Sequence, residues 1–122
     1  MNAALLIAED EPMIARILRE KLVREGYTTT CVTTVAGLEA GVCDCDVALV
    51  DATLDADGLA AMRALADRGV KPRGGWFALL EVRAAADGAR AVDAGAAGVI
   101  LKPFKPTAVA AQVAALLAAV VR

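Results

Sequence analysis

Two adjacent carboxylates, Glu9 and Asp10, directly follow the apolar run Ala4 to Ala8. A third acid, Asp51, closes the run Val47 to Val50, and Lys102 closes another, Gly98 to Leu101. Asp10 and Asp51 stand 41 residues apart, and Asp51 and Lys102 stand 51 apart, so only a fold can bring them together. Singly, Glu9 or Asp10 reads as a helix cap or turn residue. Clustered, such acids raise one another's pKa unless a cation is present, and an oxygen-rich rim suits a hard octahedral ion such as Mg2+. That ion uses one or two carboxylates directly and leaves its other positions to water, a backbone carbonyl and a phosphoryl oxygen. Lys102 would bring a compact positive charge to the same phosphoryl group. Aspartate is a poor nucleophile towards phosphorus until that charge is neutralised; then Asp51 can form an acyl phosphate.

The elements that must position these groups alternate. Apolar runs at Ala4–Ala8, Tyr27–Thr33, Val47–Val50, Trp76–Leu80 and Gly98–Leu101 read as strands. Four are almost continuously apolar, as strands covered on both faces should be, whereas the half-polar Tyr27–Thr33 belongs at an edge. Between the first two, Pro12 opens a helix whose stripe is Met13, Ile14, Ile17, Leu18 and Leu22, with Gly26 at its end. Further helices are expected over Val35–Ala40, Gly58–Asp67, Ala84–Ala94 and Pro106–Val121, with Gly69 and Gly95 as stops. Strand and helix alternating five times is the pattern of an α/β fold with a parallel sheet, whose ligand site lies beyond the carboxyl ends of the strands. Glu9, Asp10, Asp51 and Lys102 all fall on that rim. Trp76 and Phe77 read as core of the fourth strand.

Composition removes several classes of function. The chain has 122 residues, 58% of them hydrophobic and 29 of them alanine, enough for one domain with a buried core. Aromatics make up 3%, and 13 scattered basic residues face 15 acids, so neither base-stacking platforms nor a phosphate-tracking patch is present and nucleic acid is not an expected partner. The absence of histidine excludes Ser-His-Asp and Cys-His nucleophiles and His-ligated zinc. Cys31, Cys43 and Cys45 form no framework and fit a reduced cytoplasm, and Cys43 and Cys45 read as spectator thiols in a loop. No segment is expected to span a membrane.

Over essentially its whole length the chain resembles a receiver domain of two-component response regulators, of the single-domain kind. The matching residues are Glu9-Asp10, Asp51 closing Val47-Ala-Leu-Val50, the Asp57-Gly58 turn and, most specifically, Gly95-Ala-Ala-Gly-Val-Ile-Leu-Lys-Pro-Phe104. The resemblance implies a five-stranded parallel sheet with helices on both faces, flavodoxin-like, in strand order 2-1-3-4-5, with residues 1–122 as one receiver domain and no output domain. It implies that Asp51 takes a phosphoryl group from a histidine kinase or phosphotransfer protein, and that Glu9, Asp10, Asp51 and the Thr53 backbone carbonyl hold Mg2+. Lys102 then pairs with the phosphoryl oxygens through a loop usually fixed by a cis Lys-Pro bond. Such a protein is a phosphoacceptor rather than an enzyme, beyond self-catalysed phosphotransfer and dephosphorylation. A homodimer or an output partner would use the fourth helix, fifth strand and fifth helix.

The chain also departs from the family. Counting leads to Leu80, or at most Glu81, where the family carries a Ser or Thr, and to Val99 where it has Tyr or Phe, so the usual two-residue switch is missing at both ends. Asp55 replaces a common proline, adding negative charge and loosening the loop. Val82 puts an apolar side chain where polar groups often position hydrolytic water. The last helix carries no charge from Pro106 to Val121, which reads either as a face covered twice or as an ordinary Ala-rich surface. Two other readings therefore stand beside the phosphoacceptor: a receiver-like interaction module not switched by phosphorylation, and, remotely, a Mg2+-dependent phosphohydrolase. In the last, Thr53 occupies the position of the required second acid.

Overall fold

The computed structural model describes residues 2–120. Five strands, β1 (Ala4–Ala8), β2 (Thr28–Val32), β3 (Val47–Asp51), β4 (Gly75–Glu81) and β5 (Gly98–Lys102), alternate with five helices, α1 (Pro12–Arg24), α2 (Val35–Gly41), α3 (Gly58–Asp67), α4 (Gly88–Asp93) and α5 (Pro106–Val120). The strands form one parallel sheet in the order β2-β1-β3-β4-β5, so the half-polar β2 does lie at an edge. Asp51 and Lys102 are the last residues of their strands rather than the first residues beyond them. Register places Asp51 beside Leu79 and Lys102 beside Glu81.

Alternation along the strands sends successive side chains to opposite faces and builds two cores. On one face Leu6, Val50, Trp76, Ala78 and Leu80 pack with residues of α2, α3 and α4. On the other, Leu5, Ile7, Leu49, Phe77, Leu79 and Ile100 pack with Leu18 and Leu22 of α1 and Val109 and Val113 of α5. Trp76 and Phe77 are both core, as expected, one on each face.

The local signals explain most boundaries. Glu11 caps α1 by accepting the Met13 N–H at 3.0 Å, with Pro12 at the first helical position. Gly26, Gly69 and Gly95 follow α1, α3 and α4 with φ of 98°, 74° and 103°, the left-handed conformation that ends a helix most cheaply at glycine. The stripe of α1 is narrower than its sequence suggests. Leu18 and Leu22 are buried with Ile14 beside them, at i, i+4 and i+8, whereas Met13 and Ile17, one position behind, are 62% and 40% exposed.

The fourth helix is the main departure. Residues Val82–Asp87 form 3-10 turns broken at Ala84 (φ −103°, ψ 21°), and the α-helix begins only at Gly88. Gly88 falls inside the expected segment, where glycine is a weak helix former, and the Asp87 side chain makes no capping bond. Helix α5 packs one face inward, through Val109, Ala110 and Val113, and turns mainly alanines outward. Among the described residues no helix is long and apolar enough to cross a membrane.

Candidate functional site

Register and loop length bring all five sequence-derived residues to one end of the sheet. Glu9 leaves β1 buried, its backbone N–H bound to Val32 O at 3.0 Å, while Asp10 next to it is exposed. Carboxylate oxygens of Glu9, Asp10 and Asp51 lie within 4.8 Å of one another. Lys102 reaches in from β5, with its Nζ 2.7 Å from Glu9 Oε1 and paired with Asp51 Oδ2. The Lys102–Pro103 peptide bond is cis.

Each carboxylate of the pair is held by its own loop. Glu9 Oε2 accepts the Glu11 N–H at 3.1 Å, and Asp51 Oδ1 accepts the Thr53 N–H at 2.7 Å. The second contact is the local turn that aspartate side chains commonly make two residues on. Sequence reasoning assigned Thr53 only its carbonyl. Beyond it, Leu54 N donates to Ala56 O and Gly58 N to Ala52 O, pairing Thr53 with Asp57 and leaving the Thr53 carbonyl outside that ladder.

Gly58 is required by this closure. A Cβ there would stand 2.2 Å from the Asp51 carbonyl oxygen, well inside contact distance. Gly58→Ala must therefore displace the backbone that carries Asp51, and is expected to cost at least about 2 kcal/mol as an overpacked site. Denaturant titration checks this; an unchanged midpoint would show that the loop yields freely.

Burial pushes the Glu9 carboxyl up to about 7 from its ordinary 4.5, with the Lys102 ammonium pulling down and neighbouring Asp51 pushing up. Burial alone would lower Lys102, but its contacts with the Asp51 and Glu9 carboxylates outweigh this and raise it. A carboxyl raised on folding binds a proton that the unfolded chain releases, so its share of stability declines as pH rises from about 4.5 to 7. Asp46 and Asp57, held below their usual range chiefly by the Ala4 and Ala60 N–H groups, finish ionising below this window. The metal-free protein is thus expected to lose about 2 kcal/mol of Glu9's contribution between pH 5 and 7.5, and Glu9→Gln to flatten the profile. Thermal unfolding in chelator across that range tests this, and parallel profiles for the two proteins would refute it.

The donor set fits a hard divalent cation. It consists of oxygens only, three carboxylates converge, and Glu9 Oε1 is buried without a hydrogen bond, its contact with Lys102 being an ion pair alone. Glu9, Asp10, Asp51 and the Thr53 carbonyl are the groups that would hold such an ion.

Other expectations are corrected. Asp55 does not loosen its loop: its Oδ1 accepts the Val35 N–H at 2.8 Å and ties the loop to α2. Asp57 caps α3 through Ala60 N at 3.0 Å and also pairs with Arg90 of α4 at 2.7 Å, a link over 33 residues that sequence spacing does not reveal. Leu80 is fully buried on the same face as the half-buried Val99, while Val82 is 57% exposed beyond the end of β4. Of the three thiols, Cys31 and Cys43 are exposed, but Cys45 belongs to the core, its pKa pushed up to about 11 by burial.

The family model of the response regulator receiver domain matches residues 5–114. Among solved structures, the chain is similar to the receiver domain of the TMAO respiratory system response regulator TorR, with 27% identity, TM-score 0.86, and 97% and 98% of the two chains covered. It is also similar to a CheY-like receiver domain protein from Methanospirillum hungatei, with 21% identity, TM-score 0.83 and coverage of 96% and 94%. A third likeness is to the BeF3-activated receiver domain of DrrB, with 21% identity, TM-score 0.83 and coverage of 96% and 98%. No curated protein matches the chain.

Proposed function

Because the chain belongs to the response regulator receiver family, we propose that it is a phosphoacceptor of two-component signalling in which Asp51 takes the phosphoryl group. The observation that carries this is Lys102 in contact with both Asp51 and Glu9, on a rim where Asp10 completes three converging carboxylates. When bound there, Mg2+ would supply charge neutralisation to the transferring phosphoryl oxygens.

The protein's own groups do the rest. The Thr53 N–H holds one Asp51 oxygen and so orients the carboxylate. The other Asp51 oxygen, which Lys102 now occupies, attacks phosphorus as Lys102 shifts onto the transferring oxygens. An O–P bond forms at Asp51, and the bond from phosphorus to the donor's imidazole nitrogen breaks with its electron pair leaving on that nitrogen. The donor must come from outside, since this chain contains no histidine; a histidine kinase or phosphotransfer protein supplies it. The product is an acyl phosphate that hydrolyses, so the chain carries a signal rather than turning over a substrate. Exposed free thiols at Cys31 and Cys43 suit the cytoplasm. The face of α4, β5 and α5, with Val92 and Leu101 exposed, suits a second copy or an output partner.

Intact mass after incubation with acetyl phosphate and Mg2+ tests the reading. One added phosphoryl group is expected on the native protein and none on Asp51→Asn; labelling that persists in the variant defeats it. A second reading, a receiver-like interaction module that phosphorylation does not switch, is favoured by one observation: the buried Leu80 offers no polar group to a phosphoryl oxygen.

A further inference from the structure

The loop that follows the phosphoacceptor, residues 52–57, is anchored at its outer side by a carboxylate that phosphoryl transfer does not itself use. Asp55 Oδ1 accepts the N–H of Val35, the first residue of α2, at 2.8 Å. Within the loop, Leu54 is buried at 5% exposure, Leu54 N donates to Ala56 O at 2.9 Å and Gly58 N to Ala52 O at 2.8 Å. What this closed loop presents to the site is Thr53, whose N–H donates to Asp51 Oδ1 at 2.7 Å. Asp55 stands two residues from that peptide, and its partner lies 20 residues away on another element. The contact is therefore a brace between elements rather than a turn closing on itself.

We propose that Asp55 is a positioning residue for phosphoryl transfer: by tying the loop to α2 it holds the Thr53 peptide against the Asp51 carboxylate. This rests on the reading of Asp51 as the phosphoacceptor. The nucleophile's orientation depends on the Thr53 N–H, and the Thr53 carbonyl belongs to the candidate cation site, so both depend on where this one residue's backbone sits. A loop free to drift would misplace both at once, and small misplacements of reacting groups are costly in rate. The role needs the acceptor oxygen of Asp55 and not its charge, which separates it from mere attraction of a cation by a nearby acid.

The test uses the whole chain as native protein, Asp55→Ala and Asp55→Asn, with amide resonances and hydrogen exchange recorded without metal. Labelling rates with acetyl phosphate and Mg2+ follow by intact mass. Asp55→Ala is expected to unprotect the Val35 amide, to move the Thr53 amide resonance and to slow labelling about tenfold. Asp55→Asn, which keeps the acceptor oxygen, should restore most of all three. A Thr53 resonance or labelling rate unmoved in Asp55→Ala overturns the proposal, and so does Asp55→Asn as slow as Asp55→Ala, which would make charge the operative property. If no variant and not even the native protein takes up a phosphoryl group, the phosphoacceptor reading fails instead. The Thr53 and Val35 amides then still decide whether Asp55 braces the loop.

Discussion

Lys102→Ala is expected to slow phosphorylation of Asp51 by about two to three orders of magnitude, the usual cost of removing one preorganised donor to a developing charge. The same variant should lose stability, because the ammonium lies between two buried carboxylates, Glu9 and Asp51. Removing one partner of a buried ionic group costs about 3 to 5 kcal/mol, since it leaves uncompensated charge behind. Here the loss falls at the lower end, because Glu9 already sits near pH 7 and can take up a proton. The sign then follows. With Lys102 gone the Glu9 carboxyl moves further up, so the share of the deficit that comes from Glu9 should be small near pH 5 and full at pH 8.

That pH dependence separates the two effects. Labelling of Lys102→Ala at pH 6, where more of the protein is folded, should still lag far behind the native protein, because the charge on the phosphoryl oxygens remains uncompensated. Lys102→Met, which keeps the length of the stem without the charge, should behave like alanine in rate and lose less in packing. A variant that labels at the native rate would show that Lys102 serves only to neutralise Glu9 and Asp51 in the resting protein.

How much of this was legible in the sequence depends on the kind of signal. The five strands, their parallel sheet and the rim carrying Glu9, Asp10, Asp51 and Lys102 follow from period and position, because a strand buried on both faces leaves an apolar run that ends sharply where the polar rim begins. Helix α4 was not legible. Ala84–Ala94 looks helical by composition, yet the α-helix starts only at Gly88, where local propensity gave no stop signal beyond one glycine. The braces of the β3–α3 loop were also hidden. Asp55 with Val35 and Asp57 with Arg90 are pairs across elements, set by tertiary geometry and not by spacing. Thr53 N–H to Asp51 lies at the other extreme: it is a turn that aspartate makes locally, and could have been read from the pair alone.

A phosphoryl mimic is expected to move the native protein little around β4, and Leu80→Thr to enlarge that response. A ligand shifts an equilibrium between two states only through contacts that differ between them. Leu80 is fully buried, packs in the same core as Val99, and has neither donor nor acceptor to follow a phosphoryl oxygen. Its neighbour Leu79, which lies beside Asp51 in the sheet, points to the opposite core. A hydroxyl at position 80 would gain a bond to a charged oxygen of about 1.5 to 3 kcal/mol, a shift of about one to two decades in population. The substitution also shrinks a core side chain, and Leu80→Val, equal to threonine in shape, isolates that part at a cost of about 1 kcal/mol. Without the mimic, Leu80→Thr should be less stable than Leu80→Val by about 1 to 3 kcal/mol, the cost of a buried hydroxyl with no partner. With beryllofluoride and Mg2+ bound, that difference should narrow while backbone shifts at Val99 and Gly88–Asp93 grow beyond those of Leu80→Val. Large shifts in the native protein at Val99 and along Pro106–Val120, or equal responses from the two variants, would mean that another residue carries the switch. Arg90, the one cation of α4, would then be the first to replace, because its 2.7 Å pair with Asp57 joins that helix to the loop that follows Asp51.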